Sequence, residues 1–152
     1  MDVLSPDEIE QVLVDGRVAH VAVIDDGRPY VSPMSYIYSD GAIAFRTVEG
    51  RRIHALRANP AICMEVTRYD DETGDWWSVI AQGSAEFIED DHDAAGIIAE
   101  LLHKYSESFA GLFPMPDRGI PTVASVVRVH IDEVDGRCSG RFTDVKTRPG
   151  RL

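Results

Sequence analysis

Two β-rich segments joined by a tight polar turn are the first constraint on how this chain folds. Residues 18–24 and 30–38 are rich in β-branched and aromatic side chains, and residues 25–28 (DDGR) lie between them. An Asp-Gly pair in that position favours a β-hairpin, because glycine adopts the positive φ angles of a tight turn without strain. Residues 39–41 (SDG) mark a second turn, after which residues 42–47 predict a third strand. The sequence therefore predicts short antiparallel strands.

Helices are predicted at three places. Ser5 opens a capping box, S-P-D-E, with proline at the first helical position, and Gly16 ends this helix. A short second helix follows Gly50 and is closed by an Asn-Pro pair at residues 59–60. Asp90 is a suitable N-cap for a third helix. Its apolar stripe, which has helical spacing, comprises Ile97, Ile98, Leu101, Leu102 and Tyr105.

Three further strands complete the predicted fold. They cover residues 61–69, 76–89 and about 122–134, the last of them after a Pro-rich stretch at 114–121. The chain thus has six short strands, with helices at the start, after the third strand and before the last. Closing such a sheet into a barrel removes its exposed edges. We therefore expect a mainly β fold, a small antiparallel barrel with a few peripheral helices.

Length and charge narrow the class of protein. The 152 residues, 44% of them hydrophobic, suffice for one compact domain. The net charge of −11 repels nucleic acid and anionic membrane surfaces. The N-terminal residues lack the features of a signal peptide, and no apolar run is long enough for a membrane helix. We expect a cytoplasmic protein that binds neither nucleic acid nor membranes.

Cysteine and histidine positions predict no metal site. The two cysteines, Cys63 and Cys138, are far apart in the sequence, which suggests neither a zinc motif nor a disulfide framework. The five histidines are scattered over separate elements, without a second ligand at metal-binding spacing. A Walker loop, a G-x-S-x-G motif and a G-x-G-x-x-G motif are also absent from the sequence. The motifs therefore give no support to a hydrolase, a nucleoside triphosphatase or a Rossmann-type enzyme.

Several arginines stand close together in this acidic chain. Arg46, Arg51, Arg52 and Arg57 lie within residues 45–60 (FRTVEGRRIHALRANP). A strand, a Gly-centred turn and a short helix follow one another here, so guanidinium and backbone N–H groups can converge on one anion. The segment therefore predicts a phosphate site, and the alternative is a solvated basic face.

The same segment and two others resemble a known family. Residues 45–60 carry FRT, GRR and ALRANP in that order, residues 25–36 read DDGRPYVSPMSY, and residues 77–86 read WSVIAQGSAE. In order and spacing these segments are similar to those of the FMN-binding split-barrel family, which includes pyridoxamine 5'-phosphate oxidase and the nitroimidazole-resistance proteins. The resemblance covers about residues 15–135.

This resemblance implies a fold, a set of cofactor-binding residues and a partner. The fold is a six-stranded antiparallel split β-barrel with Greek-key connections, one FMN-binding domain over residues 1–140, followed by a basic tail at 141–152. Residues 25–36 would meet the flavin ring through their backbone, residues 45–60 would hold the ring and the ribityl phosphate, and residues 77–86 would reach the flavin from another subunit. A homodimer with FMN at the subunit interface follows. The implied residues are Pro33, Met34, Ser35, Arg46, Thr47, Arg51, Arg52, Trp77 and Ser78.

The implied function is an FMN-dependent oxidoreductase that acts on a small organic substrate. The flavin carries out the redox chemistry, so no catalytic side chain is required. Vitamin B6 is disfavoured as the substrate, since residues 138–142 (CSGRF) replace the Arg-x-His-x-Arg-like element of the B6 oxidases. Three alternatives stay open. They are a deazaflavin-dependent reductase, a non-catalytic flavin- or haem-binding protein with His20 or His130 as axial ligand, and an interaction scaffold without a cofactor.

Overall fold

Antiparallel strands dominate the described part of the chain, as its turn signals predict. The computed structural model describes residues 1–106 and 124–139, and within these residues it contains eight strands and three helices. The strands are β1 (Asp2–Val3), β2 (Ala19–Asp25), β3 (Arg28–Met34), β4 (Ile37–Ser39), β5 (Ala42–Val48), β6 (Ala61–Tyr69), β7 (Trp76–Phe87) and β8 (Ala124–Cys138). The helices are α1 (Pro6–Asp15), α2 (Arg51–Ala58) and α3 (Asp91–Tyr105). The Pro-rich stretch at 114–121, the predicted start of the last strand and the tail at 141–152 lie outside the described residues.

One antiparallel sheet contains all eight of these strands. Its order is β3-β2-β6-β7-β8-β5-β4, and β1 pairs with the end of β8. Every pairing is antiparallel. β3 and β4 therefore form the two ends of the sheet. The predicted fold class, a mainly β split barrel with peripheral helices, is confirmed.

The strand count exceeds the predicted six, chiefly because the segment at 30–38 forms two strands. The chain leaves the sheet at Ser35 and Tyr36. The Tyr36 N–H donates to the Tyr105 hydroxyl over 3.0 Å, and the same hydroxyl lies 3.0 Å from the Tyr36 carbonyl oxygen. A side chain of α3 thus satisfies backbone groups that a neighbouring strand would otherwise pair. The other additional strand, β1, has only two residues and therefore no alternating pattern to recognise.

The local signals for turns and helix ends are borne out. Asp26 and Gly27 have φ angles of 49° and 74°, which is the left-handed conformation that a two-residue hairpin turn requires. The Ser5 N–H donates to the Glu8 carboxylate over 2.8 Å, and the Glu8 N–H donates to the Ser5 hydroxyl, so the capping box is complete. Asp90 caps α3 by accepting a hydrogen bond from a first-turn N–H over 2.8 Å.

Two apolar clusters lie on opposite sides of β5. Side chains alternate along a strand, so Phe45 enters the cluster that fills the barrel, whereas Ala44 enters the cluster beneath α3. The second cluster joins the inner face of α3 to the outside of β4, β5 and β8. Its members are Ile37, Ala44, Ile97, Leu101, Tyr105 and Val126. This packing fixes α3 over one side of β5, where the candidate site lies.

Candidate functional site

The sheet leaves a slit between residues 32–34 of β3 and residues 45–48 of β5. Among the described residues, β3 pairs only with β2, and this part of β5 pairs only with β8. Arg52, near the start of α2, connects the two strands. Its Nη1 donates to Thr47 Oγ1 on β5 over 2.9 Å, and its Nε donates to Ser32 Oγ on β3 over 3.1 Å. The guanidinium thus bridges the slit.

Arg52 carries a charge that no described acidic side chain neutralises. Its remaining contact in the slit is to the Pro33 carbonyl oxygen, 3.4 Å from Nη2, so all of its partners are hydroxyl or carbonyl oxygens. Burial lowers the pKa of the Arg52 guanidinium, although an arginine remains protonated near neutral pH. A partly buried cation held by neutral groups at an open slit is suited to binding an anion.

The local sequence explains how Arg52 reaches this position. α2 begins directly after the turn that follows β5, and its residues Ile53, Ala55 and Leu56 are buried. These anchors hold the first turn of the helix against the barrel. Gly50 provides no side-chain cap. The N–H groups of the first turn are therefore left to water or to a bound anion.

Arg51 lies beside the slit in a different environment. Its Nε contacts the carboxylate of Asp25, and its guanidinium stacks over the ring of Tyr30 at 4.2 Å from the centroid. The Arg51 side chain is 58% exposed. The two arginines predicted to bind one phosphate therefore differ in environment. Arg52 lies inside the slit, whereas Arg51 lies outside it and its charge is neutralised by Asp25.

Two other polar residues of α2 face solvent. His54 Nε2 lies 3.0 Å from the Glu49 carboxylate, and Arg57 Nη1 lies 3.8 Å from the same group. Both side chains are more than half exposed. Arg57 is thus a surface residue, and it provides a control for charge changes elsewhere on this segment.

A cleft of about 240 Å³ adjoins the slit. One wall consists of Pro33, Met34 and Ser35, with Arg46 of β5 beside them. The opposite wall comes from α3 and consists of Ile98, Leu101 and Tyr105. The sequence identifies these three residues only as part of an apolar stripe. Their role in the cleft follows from the packing of α3 on β5, which no local signal reveals.

Arg46 and Thr47 occupy opposite sides of β5. Thr47 is 6% exposed and contacts Arg52 in the slit, whereas Arg46 lines the cleft. Successive side chains on a strand point to opposite faces. The structure therefore brings Pro33, Thr47 and Arg52 together at the slit, and it places Arg46 with Met34 and Ser35 on the side of α3.

Trp77 and Ser78 lie away from the slit of their own chain. Trp77 is 5% exposed and belongs to the barrel core. Ser78 points outward, where its hydroxyl donates to Glu65 Oε1 over 2.9 Å. Glu65 also pairs with His20, whose Nδ1 lies 3.0 Å from Oε2. These contacts of Glu65 with Ser78 and His20 were not predicted from the sequence. The alternating pattern of β6 indicates only that Glu65 faces outward.

Two larger grooves lie elsewhere and offer less to a ligand. One, of about 450 Å³, runs over the outer faces of β2, β6 and β7, and its charged lining residues, Asp132 and Glu133, are both acidic. The other, of about 480 Å³, lies beside the start of α3. Its cation Arg128 is already paired with Asp93 at 3.1 Å. Size alone would favour these grooves, but the slit and the cleft each contain an arginine without a described acidic partner, which the described lining of the two grooves does not offer.

The described residues give little support to metal or haem binding. Within residues 1–106 and 124–139, no group of three or more His, Cys, Asp or Glu side chains is arranged to hold a metal ion. His20 and His130 are each 54% exposed, and each contacts a glutamate, Glu65 and Glu86 respectively. In the same residues no helix is long and apolar enough to cross a membrane.

A family model described as pyridoxamine 5'-phosphate oxidase matches residues 5–138. The chain belongs to this family. A curated relative, an uncharacterised protein of Rhizobium meliloti, is 26% identical over 151 residues, which cover 92% of this chain and 97% of the relative. The predicted resemblance is thereby confirmed at the level of the family.

Solved structures of this family agree with the fold. A crystal structure of an FAD-binding protein from Mesorhizobium loti is 27% identical, with a TM-score of 0.77, over 91% of this chain and 98% of its own. An FAD-binding protein from Mycobacterium smegmatis is 24% identical, with a TM-score of 0.64, over 91% of this chain and 98% of its own. Because its sequence identity is only 24%, the similarity to the Mycobacterium smegmatis protein supports the fold alone.

Proposed function

We propose that this protein binds FMN in the slit and acts as a flavin-dependent oxidoreductase on a small organic substrate. The observation that carries this proposal is Arg52, a partly buried cation held between β3 and β5 by neutral oxygens alone. In a chain of net charge −11, such a site binds a phosphate through local contacts rather than through the overall field. Family membership and the similarity to the FAD-binding protein of Mesorhizobium loti favour a flavin nucleotide as the ligand that carries this phosphate.

The edge of β3 suits the flavin ring. Residues 32–34 have no strand partner on the side of the slit among the described residues, so their peptide groups on that side lack sheet hydrogen bonds. Unpaired strand edges offer a regular row of donors and acceptors. The pyrimidine side of a flavin carries the complementary groups, and Arg52 with Thr47 would then receive the ribityl phosphate.

The division of labour between cofactor and protein follows from these contacts. A bound flavin supplies hydride and electron transfer. The chain would supply position: Arg52 would hold the phosphate, the β3 edge would hold the ring, and α3 forms one wall of the adjoining cleft. No side-chain nucleophile or metal is needed for this chemistry.

We further propose a homodimer in which the outer sheet face of one subunit covers the site of the other. Apolar side chains are exposed on this face, with Val31 at 62%, Ile80 at 40% and Ile24 at 38%. Ser78 and Glu65 lie on the same face. Pairing two copies would bury this surface and bring Ser78 to the partner's flavin. Both cysteines are unpaired, which fits our proposal of a cytoplasmic location.

The first test is the chromophore of the purified protein. We would record its absorption spectrum, release and weigh any bound compound, and titrate the cofactor-free protein with FMN, FAD, a deazaflavin and haem. Tight FMN binding, followed by bleaching of the flavin when NADH or NADPH is added without oxygen, would support the oxidoreductase. A deazaflavin bound in preference to FMN would replace the cofactor assignment. Failure to bind any of the four would favour a scaffold without a cofactor. Light scattering at the same concentrations would report the dimer.

A further inference from the structure

We propose that Arg46 forms a second anion site, which takes the carboxylate of a small aromatic substrate into the cleft between β3, β5 and α3. This inference rests on the proposed function, because it makes the cleft the substrate side of the flavin. It goes further in naming a chemical class of substrate, and it assigns to that substrate Arg46, which the family resemblance implies as a flavin contact.

The Arg46 site is separate from the phosphate site. Thr47 and Arg52 contact each other on one side of β5, and Arg46 faces the α3 side from the preceding position. Because neighbouring side chains on a strand diverge, one phosphate held by Arg52 does not also satisfy Arg46. Two cations on opposite sides of one strand can each bind a separate anionic group.

Arg46 lacks a partner within the part of the chain that the structure describes. It is partly buried, yet no described residue forms a hydrogen bond or an ion pair with it. Its neighbours in the segment differ in this respect, since Arg51 is paired with Asp25 and Arg57 with Glu49. Withdrawing a charge from water without a counter-charge is costly. A ligand carboxylate would supply two acceptors for the guanidinium fork.

The rest of the cleft is suited to an apolar body. Pro33, Met34, Ile98 and Leu101 provide hydrophobic walls. Among the other polar groups of the lining, the Tyr105 hydroxyl is already engaged, because it accepts from the Tyr36 N–H and donates to the Arg17 carbonyl oxygen. One charged group in an apolar enclosure orients a ligand by a single strong contact.

The size of the cleft limits the ligand. Its volume of about 240 Å³ lies below the usual range for pockets that enclose a whole drug-sized molecule, which starts at roughly 300 Å³. A complete flavin does not fit within it, whereas one aromatic ring with a carboxylate does. We therefore use benzoate as the probe and benzamide, which has the same shape without the charge, as its neutral counterpart.

The experiment measures both ligands by calorimetry on flavin-loaded and on flavin-free protein. We expect the native protein to bind benzoate about tenfold more tightly than benzamide, as one charge-assisted contact implies. Arg46→Gln should remove this preference, and Arg46→Lys should retain part of it. Arg57→Gln changes the net charge equally at an exposed site, and it should leave the preference intact.

Three results would refute the inference, and a fourth would refute the proposed function instead. Equal affinity for benzoate and benzamide in the native protein, or a preference that survives Arg46→Gln, would refute it, while tight flavin binding in the same samples would leave the proposed function standing. A loss of FAD affinity but not of FMN affinity in Arg46→Gln would also refute it, because the cation would then serve a second cofactor phosphate. A benzoate preference in a protein that binds no flavin would support the anion site and refute the flavin proposal.

Discussion

Replacing Arg52 by alanine should weaken FMN binding far more than the same change at Arg51. The sequence presents these arginines as a pair, but the structure gives them different surroundings. Arg52 stands in the slit with neutral partners, so its charge is available to a phosphate. Arg51 is held by Asp25 and by the ring of Tyr30, and it must give up these contacts before it can act on a ligand.

The magnitudes follow from the two environments. A hydrogen bond to a charged group contributes about 1.5–3 kcal/mol when it is protected from solvent. Loss of one such bond in Arg52→Ala raises the Kd for FMN roughly 10- to 150-fold. Arg51 is 58% exposed, and exposed ion pairs contribute about 0.2–1 kcal/mol. Arg51→Ala should therefore change the Kd by roughly fivefold at most.

The assay is a fluorescence titration of FMN against each cofactor-free variant. Arg52 also supports Thr47 and Ser32, so thermal unfolding of each variant must be followed to exclude a general loss of structure. Arg57→Ala serves as the matched control for lost positive charge on α2. An Arg51→Ala effect equal to or larger than that of Arg52→Ala would refute the assignment of the phosphate to the slit.

Three further changes test the fold, each by urea unfolding. Gly83→Ala should lose about 1–3 kcal/mol of stability, because an added Cβ would lie 1.9 Å from a carbonyl oxygen of β8. Gly96→Ala in α3 should instead stabilise the protein by up to about 1 kcal/mol, because the added Cβ would point into open space. Tyr36→Phe should cost about 1–3 kcal/mol, since it leaves the buried Leu13 carbonyl without the hydroxyl that donates to it over 2.6 Å; an unchanged midpoint would contradict this. Burial lowers the pKa of Lys104 to about 8 from 10.5, so the unfolded chain binds more protons than the folded one between these values and stability should rise with pH there. Relative to Lys104→Met, the native protein should gain stability from pH 8 to pH 10, and a flat or falling difference would refute that pKa.

Much of the fold is readable from the sequence because its signals are local. The Asp-Gly turn after β2, the capping box at Ser5 and the N-cap at Asp90 each depend on a few neighbouring residues, and each appears where it is predicted. The break between β3 and β4 is different. It depends on Tyr105, whose hydroxyl reaches Tyr36 across a sequence separation of 69 residues, so no window around Tyr36 contains the cause.

The candidate site shows the same division. The arginine-rich segment marks the region of the slit, since a run of basic residues in an acidic chain is visible without coordinates. The sequence does not show which of these arginines lacks a counter-charge, because this depends on tertiary contacts. Arg51 lies beside the carboxylate of Asp25, whereas Arg52 lies beside the hydroxyl of Ser32. The sequence likewise does not reveal that α3 forms a wall of the cleft, because an apolar stripe predicts that a helix face is buried but not which surface it packs against.

The Tyr105 hydroxyl links the shape of the cleft to the course of the strand beside it. One oxygen atom both interrupts the sheet at Tyr36 and fastens the end of α3 above Arg46. A substitution that shifts α3 will therefore also shift the peptide groups at Ser35. Substitutions in α3 should for that reason alter the shape of the cleft and the geometry of β3 together, whereas the charge preference of the cleft would still depend on Arg46.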